Sequence, residues 1–197
     1  AKAAALWFSG DGRAAGGTGH PRYRGSPGMT AIPKYLASTG DIRLNVRVEE
    51  IRPASGRWHV TADAGRSYQA AALLLTAPVP QSMSMLAAGG TMLDPSLEQT
   101  LTRMRYDPCL ALLVRATGAV SASHAGLIPA DGAKVAWAAD NQVKGVSAAG
   151  PAITVHCTPS FSAQWYERGD GDVISAVTRE LADLPAFAEA EVSAEDA

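Results

Sequence analysis

The sequence predicts an α+β protein, in which an antiparallel or mixed β-sheet carries flanking helices. Alternating apolar and polar residues at 42–48 and 58–62 indicate half-buried strands. The apolar runs CLALLVRA, KVAWAAD and AITVHCT indicate more deeply buried strands. Near the C-terminus, Val173, Val177 and Leu181 recur at helical spacing. Because strands and helices do not alternate regularly, the second half is most simply an antiparallel sheet with helices on one side.

The N-terminal part predicts a long loop and then one helix. Residues 1–28 are rich in glycine and proline, which favour loop structure. Thr30 is a plausible N-cap of a helix over 29–39, and Gly40 is a suitable residue to end it.

The segment 42–76 predicts three consecutive strands. A turn falls within 49–56, and Asp63-Ala64-Gly65-Arg66 predicts a hairpin loop. The run LLLT, ending at Thr76, is typical of a buried strand. Pro78 and Pro80 then stop it, since proline lacks the N–H group that a sheet requires.

Beyond Pro80 the sequence predicts a short helix, three strands and a last helix. Asp94 is the expected N-cap of the short helix, and Asp170 or Asp172 begins the last one. The acidic tail EAEVSAEDA is predicted to fray.

The composition limits the function classes. With 197 residues, 47% hydrophobic and 18% charged, the chain can bury a sizeable core. Its net charge of −2 does not favour nucleic acid or an anionic membrane as a partner. No apolar run reaches the roughly 18 residues that a membrane span requires.

Cysteines and histidines do not indicate a metal site. Cys109 and Cys157 lie in apolar runs and are expected to be reduced core thiols, and two cysteines cannot complete a four-ligand zinc site. His156 lies inside an apolar strand, which predicts a hydrogen-bonded core histidine. His20 and His124 are in loops and are expected to be solvated.

One glycine-rich segment invites comparison with a phosphate-binding loop. Gly10 and Gly12 follow an apolar run, but Ala15 stands where a dinucleotide fingerprint has its third glycine. No helix pattern follows that could present its N-terminus to a pyrophosphate. A flexible loop is the favoured interpretation.

The polar cluster Asp140-Asn141-Gln142-Val143-Lys144 directly follows the strand KVAWAA. Polar groups at a strand end often line a pocket, and a solvated turn is the equally weighted alternative. No nucleophile motif of the Gly-x-Ser-x-Gly kind is present, so the pattern identifies no catalytic residue.

Six segments occur in an order that resembles the middle of a renalase-like flavoprotein, within the flavin amine oxidases. The resemblance covers about residues 20–185, and its segments are HPRYRGSPGMTAIPKYLA, IRLNVRVEEIRPASGRWHV, LLLTAPVPQ, MRYDPCLALLV, WAADNQVK and ITVHCTPSFSAQWYE.

The resemblance implies an FAD cofactor and a set of residues around it. Val48, and next Val46, would meet the adenine, while Gly25 and Gly28 would lie near the isoalloxazine ring. Pro78 would stand beside the flavin, where the chain crosses from the FAD domain to the substrate domain.

A substrate pocket is implied as well. The segment WAADNQVK would present Trp137, Asn141 and Lys144 to it, and Tyr106 of MRYDP is a further candidate lining residue. The expected chemistry is hydride transfer from a dihydronicotinamide-type or amine substrate to FAD, with a small molecule as the substrate. The alternative from another class is a non-catalytic module that binds a ligand or a protein.

Residues 1–20 are predicted from their composition to be a flexible loop or linker. By the same resemblance, 21–80 would be the inner part of an FAD domain and 81–197 a substrate domain. The N-terminal dinucleotide motif and the C-terminal flavin segment of the family are not matched, which predicts a central fragment that is colourless and inactive alone. Its partners would be the missing parts of its own FAD domain, and a second copy could pair through an exposed sheet edge. The expected location is cytoplasmic.

Overall fold

The computed structural model describes residues 4–9, 21–26, 28–122, 127–128, 130, 132–147, 150 and 152–194. These residues contain five α-helices and antiparallel sheets, which confirms the predicted α+β class. The chain divides into two compact units. We call Ala1–Gly40 with Asp107–Ala197 the sheet unit, and Asp41–Tyr106 the meander unit.

The meander unit is built on three consecutive antiparallel strands, as the sequence predicts. The strands are β3 (Val48–Ala54), β4 (Arg57–Ala62) and β5 (Ser67–Ala70), in that spatial order. A short 3₁₀ turn, Asp63–Gly65, joins β4 to β5 at the predicted hairpin loop.

The first strand of the meander begins later than predicted. Residues 41–47 form no strand, and Ile42 and Leu44 are exposed, so the strand predicted over 42–48 is wrong. Asn45 has φ 56°, which breaks an extended run. β3 instead extends through most of the predicted turn, because Ser55 and Gly56 both have positive φ and form a two-residue hairpin turn.

The double proline begins a helix and does not end a buried strand. β5 stops at Ala70, and Leu74 is 85% exposed, so the predicted buried strand through Thr76 is wrong. Pro78 is the N-cap of α2 (Val79–Ala88), and Pro80 stands in its first turn, where the missing N–H group costs no hydrogen bond.

Helix α2 packs back on the meander. Leu86 is buried with Ile51 and Val60, and the hydroxyl of Thr91 donates a hydrogen bond of 2.6 Å to the carbonyl of Ile51. The chain beyond Pro78 and Pro80 therefore stays in the meander unit as far as Tyr106, and the crossover beside the flavin stays a prediction.

A second helix, α3 (Pro95–Thr102), follows in the same unit. Asp94 accepts hydrogen bonds from the backbone N–H groups of Ser96 and Leu97, which confirms the predicted N-cap.

The sheet unit contains a five-stranded antiparallel sheet among its described residues. The strands are β6 (Ala111–Ala119), β7 (Leu127–Ile128), β8 (Val135–Asp140), β9 (Ala152–Cys157) and β10 (Glu189–Ala194). Their spatial order is β10-β6-β9-β8-β7. The two helices that follow β9 are α4 (Pro159–Trp165) and α5 (Asp170–Ala182).

Helices cover one face of this sheet, as predicted. Val173, Val177 and Leu181 of α5 are buried in one cluster with Val114 of β6 and Val155 of β9. Apolar burial of this kind is the main term that stabilises the unit.

Two segments predicted as irregular are strands. β1 (Ala4–Ser9) and β2 (Pro21–Gly25) pair antiparallel within the predicted N-terminal loop, and α1 (Ala31–Ala37) then confirms the predicted helix. The acidic tail forms β10 on β6, so the prediction that it frays is wrong for 189–194. Hydrogen bonding to β6 makes this acidic segment a strand although its residues have little preference for strand structure. The glycines at 10–16, His20 and His124 lie outside the described residues.

The compact units divide the chain after Gly40 and after Tyr106, whereas the predicted boundaries fell after residues 20 and 80. The reason is that α2 and α3 pack with the meander, and that β2 and α1 belong with the later sheet. Which range binds cofactor and which binds substrate stays a prediction.

Candidate functional site

One face of the five-stranded sheet is not covered by α4 and α5. Along β9, Ile153, Val155 and Cys157 are buried toward the helices, so the alternate residues Thr154 and His156 lie on the opposite face. Leu113 of β6 pairs with Thr154 and is 67% exposed. We call Leu113, Trp137, Asn141, Thr154 and His156 the open face.

An aromatic pair occupies one part of the open face. Trp137 on β8 is paired in register with His156 on β9. Their ring centroids are 5.0 Å apart, with an interplanar angle of 42°. His156 is exposed, so the predicted core histidine is wrong, and its ring instead forms a surface that can contact a planar ligand.

Asn141 is fixed at the end of β8. Its Nδ2 donates a hydrogen bond of 2.8 Å to Oγ1 of Thr154, and its backbone N–H donates to the carbonyl of Ala152 at 2.8 Å. The Asn141 carbonyl accepts from the N–H groups of Val146 and Ser147. The side chain is half-buried, so its amide group lies at a boundary between core and solvent.

Asp140 holds the turn that follows. This buried carboxylate is 3% exposed, and its Oδ1 accepts from the backbone N–H of Gln142 at 2.7 Å and of Val143 at 3.3 Å. The N–H of Lys144 donates to the Asp140 carbonyl at 2.9 Å. The polar cluster is thus an ordered turn whose backbone hydrogen bonds position Asn141 and Lys144.

A strand distant in sequence lies against this turn. Arg24 of β2 places its guanidinium beside Gly145, where a Cβ would lie 2.7 Å from Nη2. Gly145 also has φ +77°, a conformation that favours glycine. Burial, and after it the positive charge of Arg24, lowers the pKa of Lys144 below its ordinary value.

The Gly25–Gly28 segment is a tight turn. Gly25 is buried, and its N–H donates to Sδ of Met29 at 3.3 Å. A Cβ at Gly25 would lie 2.8 Å from Cα of Met29 and would overlap the carbonyl of Gly28. Gly28 has open space around it, so only the first of the two predicted glycines is required by close backbone packing.

In the meander unit, β3 is an edge strand, and Val48 stands at its first position. Val46 and Val48 are both half-buried, and Val48 packs against the cluster of Ile51, Val60 and Leu86. The adenine contact assigned to these valines stays a prediction. Elsewhere in this unit the hydroxyl of Tyr106 accepts a hydrogen bond of 3.0 Å from the N–H of Val79, beside Pro78.

The predicted site residues therefore fall into two groups. Gly25, Trp137, Asn141 and Lys144, together with Gly28, belong to the sheet unit; Val46, Val48, Pro78 and Tyr106 belong to the meander unit. Their roles toward cofactor and substrate stay predictions.

Sequence reasoning missed Arg24, Thr154 and His156 as site residues. Alternation along AITVHC places Thr154 and His156 on one face and could have found them. No local signal marks Arg24, because its neighbour Gly145 lies far along the chain.

The two thiols differ in their surroundings. Cys157 is buried and Cys109 is exposed, so the predicted burial is confirmed for Cys157 and wrong for Cys109; both are free. Burial, followed by the influence of Cys109 and Glu180, raises the pKa of Cys157 to about 11. This thiol is therefore protonated, and a poor nucleophile, at neutral pH.

In the part of the chain that the structure describes, no group of three or more His, Cys, Asp or Glu residues is placed to hold a metal ion. No helix of these ranges is long and apolar enough to cross a bilayer.

Solved structures with the same fold include an oxidase. Wild-type putrescine oxidase bound to putrescine aligns with 82% of this chain at 16% identity and a TM-score of 0.60. The PF1083 protein from Pyrococcus furiosus aligns with 91% of it at 14% identity and a TM-score of 0.62. At these identities the likeness concerns the fold alone. The chain spans 36% of the length of the first structure and 45% of the second.

The sequence itself matches a family model over almost its whole length. That model, described as flavin containing amine oxidoreductase, aligns with residues 5–195. The chain belongs to the flavin containing amine oxidoreductase family.

Proposed function

We propose that this chain forms the substrate-binding sheet and the adenine-side meander of an FAD-dependent oxidoreductase of the renalase-like type. The observation that carries the proposal is the open face, where Asn141, Thr154, Trp137 and His156 present ordered polar and aromatic groups. Apolar and aromatic walls with a few fixed polar groups are typical of small-molecule sites.

The cofactor and the residues of this chain would have different roles in such an enzyme. When bound, the flavin would supply the redox chemistry by accepting a hydride from the substrate. The residues of this chain would bind and orient the substrate, and they would exclude water from it. Trp137 and His156 would contact a planar substrate ring, and the Asn141 amide would offer hydrogen bonds that fix its orientation.

These roles require no side chain of the open face to transfer a proton. Hydride transfer to a flavin needs orientation more than an acid or a base. A substrate of the dihydronicotinamide type, with a flat ring to stack, is compatible with this surface, and an amine is the second substrate class.

The test begins with the protein expressed from its complete reading frame and purified by gel filtration. We expect co-purifying flavin absorbance that is released on denaturation and identified as FAD by chromatography. Anaerobic mixing with dihydronicotinamide isomers and with amines should bleach that absorbance for one of these classes. A colourless, well-folded protein that does not take up added FAD would overturn the proposal in favour of a non-catalytic binding module.

A further inference from the structure

Arg24 has an unusual environment for a charged side chain. Its Nη1 atom is buried and has no hydrogen-bond partner. No carboxylate of the described residues forms an ion pair with its guanidinium. Native proteins rarely leave a buried charged donor unpaired, so the position calls for a group that the described residues do not supply.

The turn around Gly145 makes room for this guanidinium. A side chain at residue 145 would collide with Nη2 and Cζ of Arg24, at 2.7 and 3.2 Å from the new Cβ. The absence of a side chain there leaves the planar fork of Arg24 against the turn Asn141–Gly145, next to the open face.

Among the described residues, a second cation lies near Arg24. The positive charge of Arg24 contributes to the lowered pKa of Lys144, after burial. Asp140, at the beginning of the turn, uses Oδ1 to accept from two backbone N–H groups. A ligand that binds to Arg24 therefore lies near the charge of Lys144 as well.

We propose that Arg24 and Lys144 form a binding site for an oxyanion, a carboxylate or a phosphate, carried by the substrate. The guanidinium fork matches the two oxygens of such a group, and Lys144 adds a second positive charge. This inference rests on the proposed function, because it takes the adjacent open face as the place where the substrate ring binds.

The consequence concerns substrate class. A protonated amine or diamine would be repelled by Arg24 and Lys144, whereas a nicotinamide nucleotide carries the phosphate that they would bind. The site thus favours an anionic dihydronicotinamide over substrates such as the putrescine bound by the structurally similar putrescine oxidase.

Binding of inorganic phosphate to the protein without added flavin or substrate tests the site. Isothermal titration of the wild-type chain should give saturable binding, and phosphate should raise its melting temperature. Arg24→Gln should weaken the phosphate affinity by about tenfold or more, since hydrogen bonds to charged groups are the stronger ones. Arg179→Gln, at an exposed arginine of α5 in the same unit, is the matched control and should bind like wild type.

Several outcomes would overturn the proposal. Wild-type protein without saturable phosphate binding is one, and Arg24→Gln with wild-type affinity is another. Should Arg24→Gln fail to fold by circular dichroism, Arg24→Lys and Gly145→Ala replace it. Arg24→Lys removes the planar guanidinium, and Gly145→Ala displaces it. Wild-type affinity in both of these variants would count against the site.

Competition distinguishes the source of the oxyanion. Nicotinamide mononucleotide should displace phosphate, whereas nicotinamide riboside, which lacks the phosphate group, should not. Displacement by FAD and not by the mononucleotide would overturn the assignment to the substrate. Because these measurements need no flavin reduction, their failure is separate from a failure of the proposed oxidoreductase activity.

Discussion

The carboxylate of Glu180, on α5, accepts hydrogen bonds of 2.9 Å from the backbone N–H groups of Val135 and of Lys134, at the beginning of β8. The Lys134 ammonium adds a contact of 3.2 Å to the same carboxylate. One helix side chain therefore joins α5 to the strand that leads to Trp137 and Asn141.

Glu180→Gln should make stability less dependent on pH. Burial alone raises the pKa of Glu180, but the hydrogen bonds from Val135 and Lys134 outweigh it and hold the pKa below its ordinary value of 4.5. A depressed pKa stabilises the fold above pH 4.5, and that stabilisation disappears as the pH falls through the folded-state value. At neutral pH we expect Glu180→Gln to lower the free energy of unfolding, measured in urea, by about 1–2 kcal/mol.

The matched control for this change is Glu167→Gln, at an exposed glutamate of the same unit. It should leave the free energy of unfolding nearly unchanged across the pH range. Equal stability of the two variants at pH 7, or a Glu180→Gln deficit that persists well below pH 4.5, would contradict the assigned role of the carboxylate.

Gly25→Ala should disturb the turn after β2 far more than Gly28→Ala does. A Cβ at residue 25 meets the backbone of Gly28 and Met29, whereas one at residue 28 meets nothing within 4 Å. Overpacking against backbone costs about 1–3 kcal/mol, so chemical denaturation should show that loss for Gly25→Ala alone. Similar midpoints for the two variants would show that the turn is not as tight as described.

Asn141→Ala and Thr154→Val should be coupled energetically. A double-mutant cycle of unfolding free energies should give a coupling of about 0.5–1.5 kcal/mol, since each change removes the same hydrogen bond. Additive effects would mean that this hydrogen bond does not stabilise the native state.

In the flavin-loaded protein, Asn141→Ala should slow flavin reduction more than it weakens flavin binding. Rapid-mixing absorbance gives the first quantity and fluorescence titration the second. Wild-type reduction rates across both candidate substrate classes would remove Asn141 from the proposed pocket.

Val48→Asp should weaken FAD binding. The side chain is half-buried at the beginning of an edge strand, and a carboxylate there costs free energy unless it finds a partner. We expect about a tenfold rise in the dissociation constant, which corresponds to roughly 1.4 kcal/mol. Leu74→Asp, at an 85% exposed leucine of the same unit, is the control and should bind FAD normally. A normally folded Val48→Asp with unchanged affinity would exclude Val48 from the cofactor site.

The elements that the sequence predicts well are those with strong local causes. Asp94 caps α3 with its own side chain, and α5 shows its buried stripe at helical spacing. Strands β6, β8 and β9 carry apolar runs that need burial wherever they lie. Polar residues at a strand end indicate the turn at Asn141, so the sequence also predicts this part of the candidate site.

Tertiary structure decided the elements whose partners lie far along the chain. The acidic segment of β10 has little strand preference, but pairing with β6 satisfies its backbone. The Leu73–Leu75 run could be a buried strand by composition, yet α2 packs on β3 and leaves Leu74 in solvent.

The same distinction applies to the candidate site. Sequence alone placed Trp137, Asn141 and Lys144 in one segment, for which a pocket and a solvated turn were equally weighted predictions. That Arg24 lies against Gly145 depends on how β2 packs within the sheet unit, some 120 residues away in the chain, and no local pattern encodes such a contact. Periodicity and capping are short-range, so they determine elements, whereas burial and pairing between distant segments determine which side chains meet.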